Sequence, residues 1–188
     1  DKVSPAIDVK FKIKNNEKLA HAFGLESIFH DTFAIIWTTT PWTLPANQAI
    51  AVGNDLNYNL VQLDGSYIIL AENLVESTIK RYAIENYKVI ASTTGNKLVD
   101  IITEHPFYNR HVPILHGDHV TDDSGTGMVH TAPTHGVEDF TLGKEHGLSM
   151  EIFVKGNGCY SENTELFAGE FIFKANDRIV ELLGERKR

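Results

Sequence analysis

Several features are scarce in this 188-residue sequence, and each scarcity excludes a class of protein. Cys159 is the single cysteine, so no disulfide can form within the chain, and a reducing cytosol is the expected environment. No apolar run approaches the roughly 18–20 residues of a membrane-spanning helix, and the first residues, DKVSPAIDVK, contain no signal-peptide core. These absences argue against a disulfide-stapled secreted scaffold and a helical membrane protein, and they predict a cytoplasmic location.

Positive charge is also in short supply. The formal net charge is −8 and the sequence pI is near 5.5. A freestanding nucleic-acid-binding protein usually carries a basic surplus, because phosphate contacts supply much of its affinity. If this chain binds a nucleic acid, we expect other parts of a larger protein to supply most of the binding affinity. The missing initiator methionine and the abrupt ending GERKR suggest the same arrangement. We therefore expect residues 1–188 to be a single domain excised from a larger chain.

What the sequence does contain is mostly short alternating segments, with a few helical ones. Period-2 apolar patterns and turn signals predict strands at 6–14, 33–40, 47–52, 58–63, 67–71, 87–91, 97–102, 112–115 and 127–132. A helix is predicted after Asn73, which forms a capping-box-like pair with Glu76 and precedes an apolar face of Val75, Ile79 and Tyr82. Further helices are predicted around 137–146 and 176–187. The pattern predicts an α+β fold, with a β-barrel-like mixed sheet as its core and short helices around it.

The first group of residues that could carry chemistry is the threonine cluster in WTTTPWT, residues 37–43. Alternate side chains of a strand face the same way, so Thr38 and Thr40 share a face that Thr39 does not. A turn at Pro41 would bring Thr43 back toward them, with Asn47 just beyond, and form a concave patch of hydroxyl groups. The alternative is that β-branched threonines merely suit a sheet.

The second group lies in GTGMVHTAPTHGVEDF, residues 125–140. Gly125 and Gly127 permit tight turning or close approach of the backbone to a ligand. His130 falls on a predicted strand and Asp139 near the start of the following predicted helix. Both have ordinary alternatives, because a strand histidine is often a satisfied half-buried residue and an aspartate in a first helical turn often only complements the helix dipole.

The third group comprises possible metal ligands, and the sequence argues against a metal site. The candidates are His130, His135 and Asp139, or His116 with His119. Zinc needs three or four ligands converging at about 2 Å, and the intervening Pro133 and Gly136 prevent a regular helical face of ligands. A serine or cysteine nucleophile is no better supported, since no G-x-S-x-G motif exists and Cys159 has no identifiable partner. We therefore predict neither a metal nor another cofactor.

Two separated segments together resemble one family. WTTTPWTLPAN and GTGMVHTAPTHGVEDF are similar to the threonine-rich peptide and the histidine/aspartate segment of the editing (connective peptide 1) domain of isoleucyl-tRNA synthetases, which are class I aminoacyl-tRNA synthetases. The leading SPAIDVKFKI and the trailing FKAND fit as well, so the resemblance covers nearly the whole chain. Related valyl and leucyl editing domains carry a T-T-R-P pattern and lack the histidine. Thr40 and His130 at those positions favour the isoleucyl type.

The resemblance implies an aminoacyl-tRNA deacylase that performs post-transfer editing. Its substrate would be valyl-tRNA(Ile), and its products valine and free tRNA. Editing is needed because the aminoacylation pocket cannot reject valine well. One missing methylene changes the binding free energy by only about 1–3 kcal/mol, a figure established on this isoleucine–valine pair. An aminoacyl ester is reactive enough for a positioned water to hydrolyse it, so no covalent intermediate is expected. The implied partners are the aminoacylated 3′ end of the tRNA and the remainder of the synthetase, with no membrane.

The resemblance also assigns roles to individual residues. Thr38, Thr39 and Thr40 would hold the ester, the terminal ribose and the attacking water, and Asp139 would bind the α-ammonium. The substrate-binding residues would be Trp42, Thr43, Asn47, His130 and His135, with His130 against the amino-acid side chain. A noncatalytic tRNA-binding module of the same fold is an alternative, which would predict loss of Asp139 or the threonines. A metal-dependent hydrolase is another, and excess chelator would test it.

Overall fold

The structure, a computed structural model, describes most of the chain up to residue 132 and scattered residues beyond it. The described residues are 7–117, 119–123, 125–132, 157, 159–160, 164, 166–171, 175, 178–180 and 182–183. The strands are β1 Ile7–Ile13, β2 Thr32–Thr38, β3 Ala49–Val52, β4 Asn57–Leu63, β5 Ser66–Ala71, β6 Lys88–Thr94, β7 Ile102–Glu104, β8 His111–His116 and β9 Val129–Thr131. The helices are α1 Asn16–Ala22 and α2 Val75–Arg81, with 3-10 turns at Pro41–Ala46, Glu72–Leu74 and Gly95–Lys97.

These strands form one mixed sheet in the order β6-β4-β5-β2-β1-β7-β8-β3-β9. The pairs β2–β5 and β3–β8 are parallel and the remaining pairs are antiparallel. Edge strand β9 contacts β2, which lies five positions away in the sheet, so the sheet curls over on itself. No ladder joins the edge strands β6 and β9 among the described residues, so the sheet is open. The predicted α+β class with a mixed sheet is confirmed, but "barrel-like" describes only its curl.

The sheet is buried on both faces around β2, which explains the unbroken apolar run FAII. Ala34 and Ile36 face the main core inside the curl, whereas Phe33 and Ile35 face a smaller cluster that α2 covers on the outer side. All four side chains are less than a tenth exposed. Because β2 is fixed from both faces, the position at which it ends is fixed as well, and it ends at Thr38.

Two local predictions were wrong, and one helix was missed. Helix α1 was not predicted, although Asn15 caps it by accepting a hydrogen bond from the Lys18 amide at 3.1 Å. The segment 97–102 is a turn in which Asp100 has a φ of +74°, and β7 begins only at Ile102. Asn73 does not cap α2, because its side-chain amide donates to Asp122 at 2.6 Å.

The remaining predicted helices fall in the C-terminal part. The segment 137–146 lies outside the described residues. Within 176–187 the described residues 178–180 and 182–183 are helical, in agreement with the prediction. None of the helices in the described part of the chain has the length and apolarity needed to cross a membrane.

Candidate functional site

The threonine cluster forms where β2 ends and the chain turns. Pro41 occupies the first turn of the 3-10 helix Pro41–Ala46, where its fixed φ and missing N–H are tolerated. The turn folds the chain back, so the Thr40 hydroxyl lies 3.3 Å from that of Thr38 and 3.4 Å from that of Thr43. The Thr40 amide donates to the Thr38 hydroxyl at 3.0 Å, and the Thr43 hydroxyl donates to the Thr40 carbonyl at 2.8 Å. The predicted hydroxyl patch is therefore present.

His130 joins the cluster from a distant part of the sequence. The pairing of β9 with β3 places His130 opposite Ile50. Its Nε2 lies 2.7 Å from the Thr43 hydroxyl, and its Nδ1 lies 3.1 Å from the side-chain nitrogen of Asn47. The ring is 8% exposed, and Asn47 behind it is fully buried. Both ring nitrogens therefore have protein partners, while the ring also reaches the cavity described below.

The surrounding hydrogen bonds fix the tautomer of a neutral His130. The side-chain nitrogen of Asn47 also donates to the Ala49 carbonyl at 3.1 Å, and a carbonyl can only accept, so the amide group facing both partners is the NH₂. His130 Nδ1 must then be the acceptor, and Nε2 carries the proton and donates it to Thr43. The Thr43 hydroxyl in turn donates a hydrogen bond to the Thr40 carbonyl. The donors therefore run in one direction from Asn47 to the backbone of Thr40.

A cavity of about 310 Å³ opens at this cluster. A volume of this size lies at the lower end of small-ligand sites, so it suits the end of a substrate rather than a whole polynucleotide. The threonines and His130 line it together with the segment that leads into β9. The described lining residues are Trp37, Thr38, Thr39, Thr40, Thr43, His119, Thr121, Gly125, Thr126, Gly127, Met128, Val129, His130 and Ala132.

Backbone conformation and close packing explain the two glycines of the segment that leads into β9. Gly125 and Gly127 have φ values of +70° and +79°, and a Cβ on Gly127 would lie 2.3 Å from the Cβ of Ala71. The Gly127 carbonyl accepts a hydrogen bond from the buried Tyr58 hydroxyl at 2.6 Å. Burial raises the pKa of Tyr58 to about 12, so this hydroxyl remains a donor at neutral pH. Thr126 anchors the same segment to β2 through the Ile35 carbonyl at 2.6 Å.

The cavity gathers most, but not all, of the predicted site residues. Thr38, Thr39, Thr40, Thr43 and His130 line it. Trp42 is not among the described lining residues and packs against the main core, while its carbonyl accepts a bond from the Tyr160 hydroxyl at 2.6 Å. Asn47 contacts the back of His130 rather than the cavity. Predicted residues His135 and Asp139 lie outside the described residues.

Sequence reasoning missed several lining residues. Trp37 stands in the quoted motif, is 37% exposed and packs beside Gly125, yet Trp42 was chosen in its place. His119 was considered only as a metal ligand with His116. The described part of the chain contains no group of three histidine, cysteine, aspartate or glutamate side chains that could hold a metal ion. His119 could have been found only by knowing that the segment after β8 returns to the end of β2.

Comparisons with known proteins agree with one another. A family model described as "Leucyl-tRNA synthetase, editing domain" matches residues 7–170. All 188 residues align at 82% identity with the isoleucine–tRNA ligase of Francisella tularensis subsp. tularensis (strain WY96-3418), and at 83% with that of Francisella philomiragia subsp. philomiragia. The chain spans 20% of the length of each of these relatives.

Solved structures share the fold at low sequence identity. The crystal structure titled GlLeuRS-CP1 superimposes with a TM-score of 0.77 at 14% identity, over 97% of this chain and 96% of that one. The editing domain of the P. knowlesi cytosolic leucyl-tRNA synthetase gives a TM-score of 0.74 at 11% identity, over 98% of this chain and 95% of that one. At these identities the likeness concerns the fold alone.

Proposed function

The chain belongs to the family of aminoacyl-tRNA synthetase editing domains and is of the isoleucyl type, and on that premise we propose that it hydrolyses the ester of valyl-tRNA(Ile) after transfer. The products would be valine and free tRNA. The aminoacylated 3′ end of the tRNA would enter the cavity, and the remainder of the synthetase would hold most of the polyanion. This division of labour fits a domain whose formal net charge is −8.

The observation that carries the proposal is the cluster of hydroxyls bonded to one another and to His130 on a single wall of the cavity. Thr38, Thr40 and Thr43 form this cluster without a carboxylate or cysteine among the described lining residues. Such a wall can orient an ester and a water but offers no strong nucleophile. An aminoacyl ester needs no more, because positioning and preorganised hydrogen bonds lower the barrier of an already reactive bond.

Thr40 is the hydroxyl best placed to face the reacting groups. The Thr43 hydroxyl already accepts from His130 and donates to the Thr40 carbonyl, and Thr38 accepts from the Thr40 amide. Thr38 and Thr43 are each 5% exposed. The Thr40 hydroxyl is half-buried, and its two hydroxyl neighbours lie at 3.3 and 3.4 Å, longer than the usual 2.7–2.8 Å or so between hydroxyl groups. A substrate oxygen or a water can replace these weak contacts at little cost.

The proposed reaction is direct attack of water on the ester carbonyl. A bond forms between the water oxygen and the carbonyl carbon, and the ester bond to the ribose oxygen then breaks. One proton of the water ends on the ribose oxygen, which leaves as the tRNA hydroxyl, and the other is released to solvent as valine leaves with its carboxylate. Thr40 and the exposed Thr39 would donate to the carbonyl or accept from the water. His130 would shape the side-chain pocket, since both of its ring nitrogens are engaged and neither is set to take a proton.

Single-turnover deacylation of valyl-tRNA(Ile) by the synthetase that carries this domain tests the proposal. Replacing Thr40 by valine keeps the shape and removes the hydroxyl, so we expect the rate to fall about 100–1,000-fold. Thr93→Val is the matched control, because the Thr93 hydroxyl is buried on β6 and has no hydrogen-bond partner among the described residues. Equal rates for wild type and Thr40→Val would contradict the proposed role. A wild-type rate that collapses in excess chelator would indicate a metal-dependent hydrolase.

A further inference from the structure

The hairpin loop that connects β7 to β8, residues 105–110, packs against the back of the segment that carries Thr43 and Asn47. The loop closes on itself through the His105 amide, which donates to the Arg110 carbonyl at 2.9 Å. The ring of Tyr108 stacks on that of His105 with centroids 4.8 Å apart, and the Arg110 guanidinium lies 5.0 Å from the Tyr108 centroid. These contacts give the loop a defined shape of its own.

His105 and Arg110 hold three main-chain carbonyls at the end of the 3-10 helix Pro41–Ala46. His105 Nε2 lies 2.8 Å from the Leu44 carbonyl. One Arg110 nitrogen, Nη1, donates to the Pro45 carbonyl at 3.0 Å and to the Asn47 carbonyl at 2.7 Å. The Leu44 carbonyl also accepts from the Asn47 amide at 3.0 Å, whereas carbonyls beyond the last turn of a helix have no amide of a following turn and need donors from elsewhere.

His105 is committed to this task. Its Nδ1 accepts hydrogen bonds from the amides of Phe107 at 3.2 Å and Tyr108 at 3.1 Å, which leaves the proton on Nε2, facing Leu44. Burial lowers the pKa of His105 to about 3, so the ring remains neutral and keeps this tautomer at physiological pH. The loop and the helix end are therefore joined by directed bonds rather than by packing alone.

The carbonyl that Arg110 holds most closely belongs to Asn47, whose side chain contacts His130 Nδ1. A shift of the Asn47 backbone would loosen that contact, and His130 would then be less firmly aimed at Thr43. Loss of one such hydrogen bond corresponds to about 2–10-fold in rate. We propose that Arg110, together with His105, is a positioning residue that sets the Thr43–His130–Asn47 network from behind the cavity. This inference rests on the proposed function.

The test compares Arg110→Gln with Arg110→Lys and with a matched control, Arg81→Gln. Arg81 pairs with Asp8 at 2.7 Å, and neither residue lines the cavity, so the control makes the same substitution at another arginine that binds protein oxygen atoms. In the full-length synthetase we expect Arg110→Gln to lower the saturating single-turnover rate with valyl-tRNA(Ile) about 2–10-fold, no more than loss of the His130–Thr43 bond itself. Its Kd for the tRNA should remain within about threefold, because the tRNA is held mainly elsewhere. Lysine should restore part of the rate, since its ammonium can bond one carbonyl but does not reproduce the guanidinium fork.

The ring nitrogens of His130 provide a readout that mere destabilisation would not move. In ¹⁵N spectra of the 188-residue chain, wild type and Arg81→Gln should show the Nε2–H tautomer, and Arg110→Gln a mixture of tautomers. Full activity together with an unchanged His130 spectrum in Arg110→Gln would overturn the inference, and so would an equal rate loss in Arg81→Gln. If Arg110→Gln does not fold, Arg110→Lys with wild-type rate and spectrum would also overturn it. If wild type fails to deacylate valyl-tRNA(Ile), the proposed function fails, and the His130 spectra still decide whether Arg110 positions the network.

Discussion

Replacing His130 with alanine should affect substrate selectivity and the rate of hydrolysis by different amounts, and the size of each effect can be estimated. The ring lines the cavity beside the nearly fully buried Met128 and Ala132, so its removal enlarges the pocket at that wall. The hydrogen bonds described above that position the Thr40 hydroxyl and the turn at Pro41 are made within the threonine segment and do not involve the ring. The variant should therefore admit a larger amino-acid side chain while keeping the groups that face the ester.

Two effects of this substitution have different sizes. Room for the extra methylene of isoleucine is worth about 1–3 kcal/mol, which corresponds to a gain of roughly 10–200-fold in hydrolysis of isoleucyl-tRNA. Loss of the bond from His130 to Thr43 removes about 0.5–1.5 kcal/mol of support, or roughly 2–10-fold in rate for valyl-tRNA. Thr43 keeps its 2.8 Å bond to the Thr40 carbonyl, which limits this second effect. The preference for valyl-tRNA should therefore fall by about 20–2,000-fold.

The assay is deacylation of isoleucyl-tRNA and valyl-tRNA side by side with the full-length synthetase. His21→Ala is the matched control, because His21 is exposed on α1 and is not one of the lining residues. A His130→Ala variant that still spares isoleucyl-tRNA while hydrolysing valyl-tRNA would remove His130 from the size filter. A folded variant that loses both activities would instead make the ring part of the catalytic or folding machinery.

The other predictions concern stability and substrate binding. Burial lowers the pKa of His105 to about 3, whereas an unfolded histidine titrates near 6.5 or so, so only the unfolded chain binds this proton between those values. The free energy of unfolding should therefore be unaffected by this group above about pH 6.5 and should fall by up to about 1.4 kcal/mol per pH unit as the pH drops toward 3. Denaturant titrations at about pH 7 and 5.5 should show a loss of about 1 kcal/mol that is absent from a folded His105→Gln variant. An equal loss in that variant would refute the assignment. Gly127→Ala should lower stability by more than the roughly 1–2 kcal/mol that a left-handed backbone costs, because its Cβ would clash with Ala71. Gly65→Ala, with a φ of +82° and no atom of the described residues within 4 Å of the added Cβ, should lose only the backbone cost. Equal melting-temperature shifts for the two variants would contradict the clash. Asp139→Ala should weaken binding of a valyl-adenosine analogue by about 2–5 kcal/mol in calorimetry if this carboxylate anchors the ammonium, and unchanged affinity in a folded variant would exclude that role.

The threonine cluster could be predicted because its geometry is local. Thr38 and Thr40 are two residues apart on an extended backbone, which puts them on one face, and Pro41 is close enough to fix the turn that returns Thr43. The same locality explains why the predicted strands 58–63 and 67–71 agree with β4 and β5, since Asp64 and Gly65 between them supply the turn of the hairpin. The α+β class followed from the spacing of such short signals.

The parts that could not be predicted depend on contacts between distant segments. Arg110 reads as an ordinary loop cation, and only the fold places it 2.7 Å from the Asn47 carbonyl. Trp37 and Trp42 are equivalent by composition, and the curl of the sheet decides that Trp37 borders the cavity. Asn73 had a plausible capping partner in sequence, but a contact with Asp122 formed instead. In each case the outcome depends on a contact between residues far apart in the sequence. Local sequence patterns do not encode such contacts.

A crystal structure with a nonhydrolysable valyl-adenosine analogue tests the central claim most directly. We predict that the analogue occupies the cavity between the threonine cluster and the segment 125–132, with its ester-mimicking oxygen about 2.7–3.1 Å from the hydroxyl of Thr40 or Thr39. The valine side chain should lie against His130. Binding of the analogue outside this cavity, or with its carbonyl turned away from the threonines, would contradict the assignment of this hydroxyl cluster as the hydrolytic site.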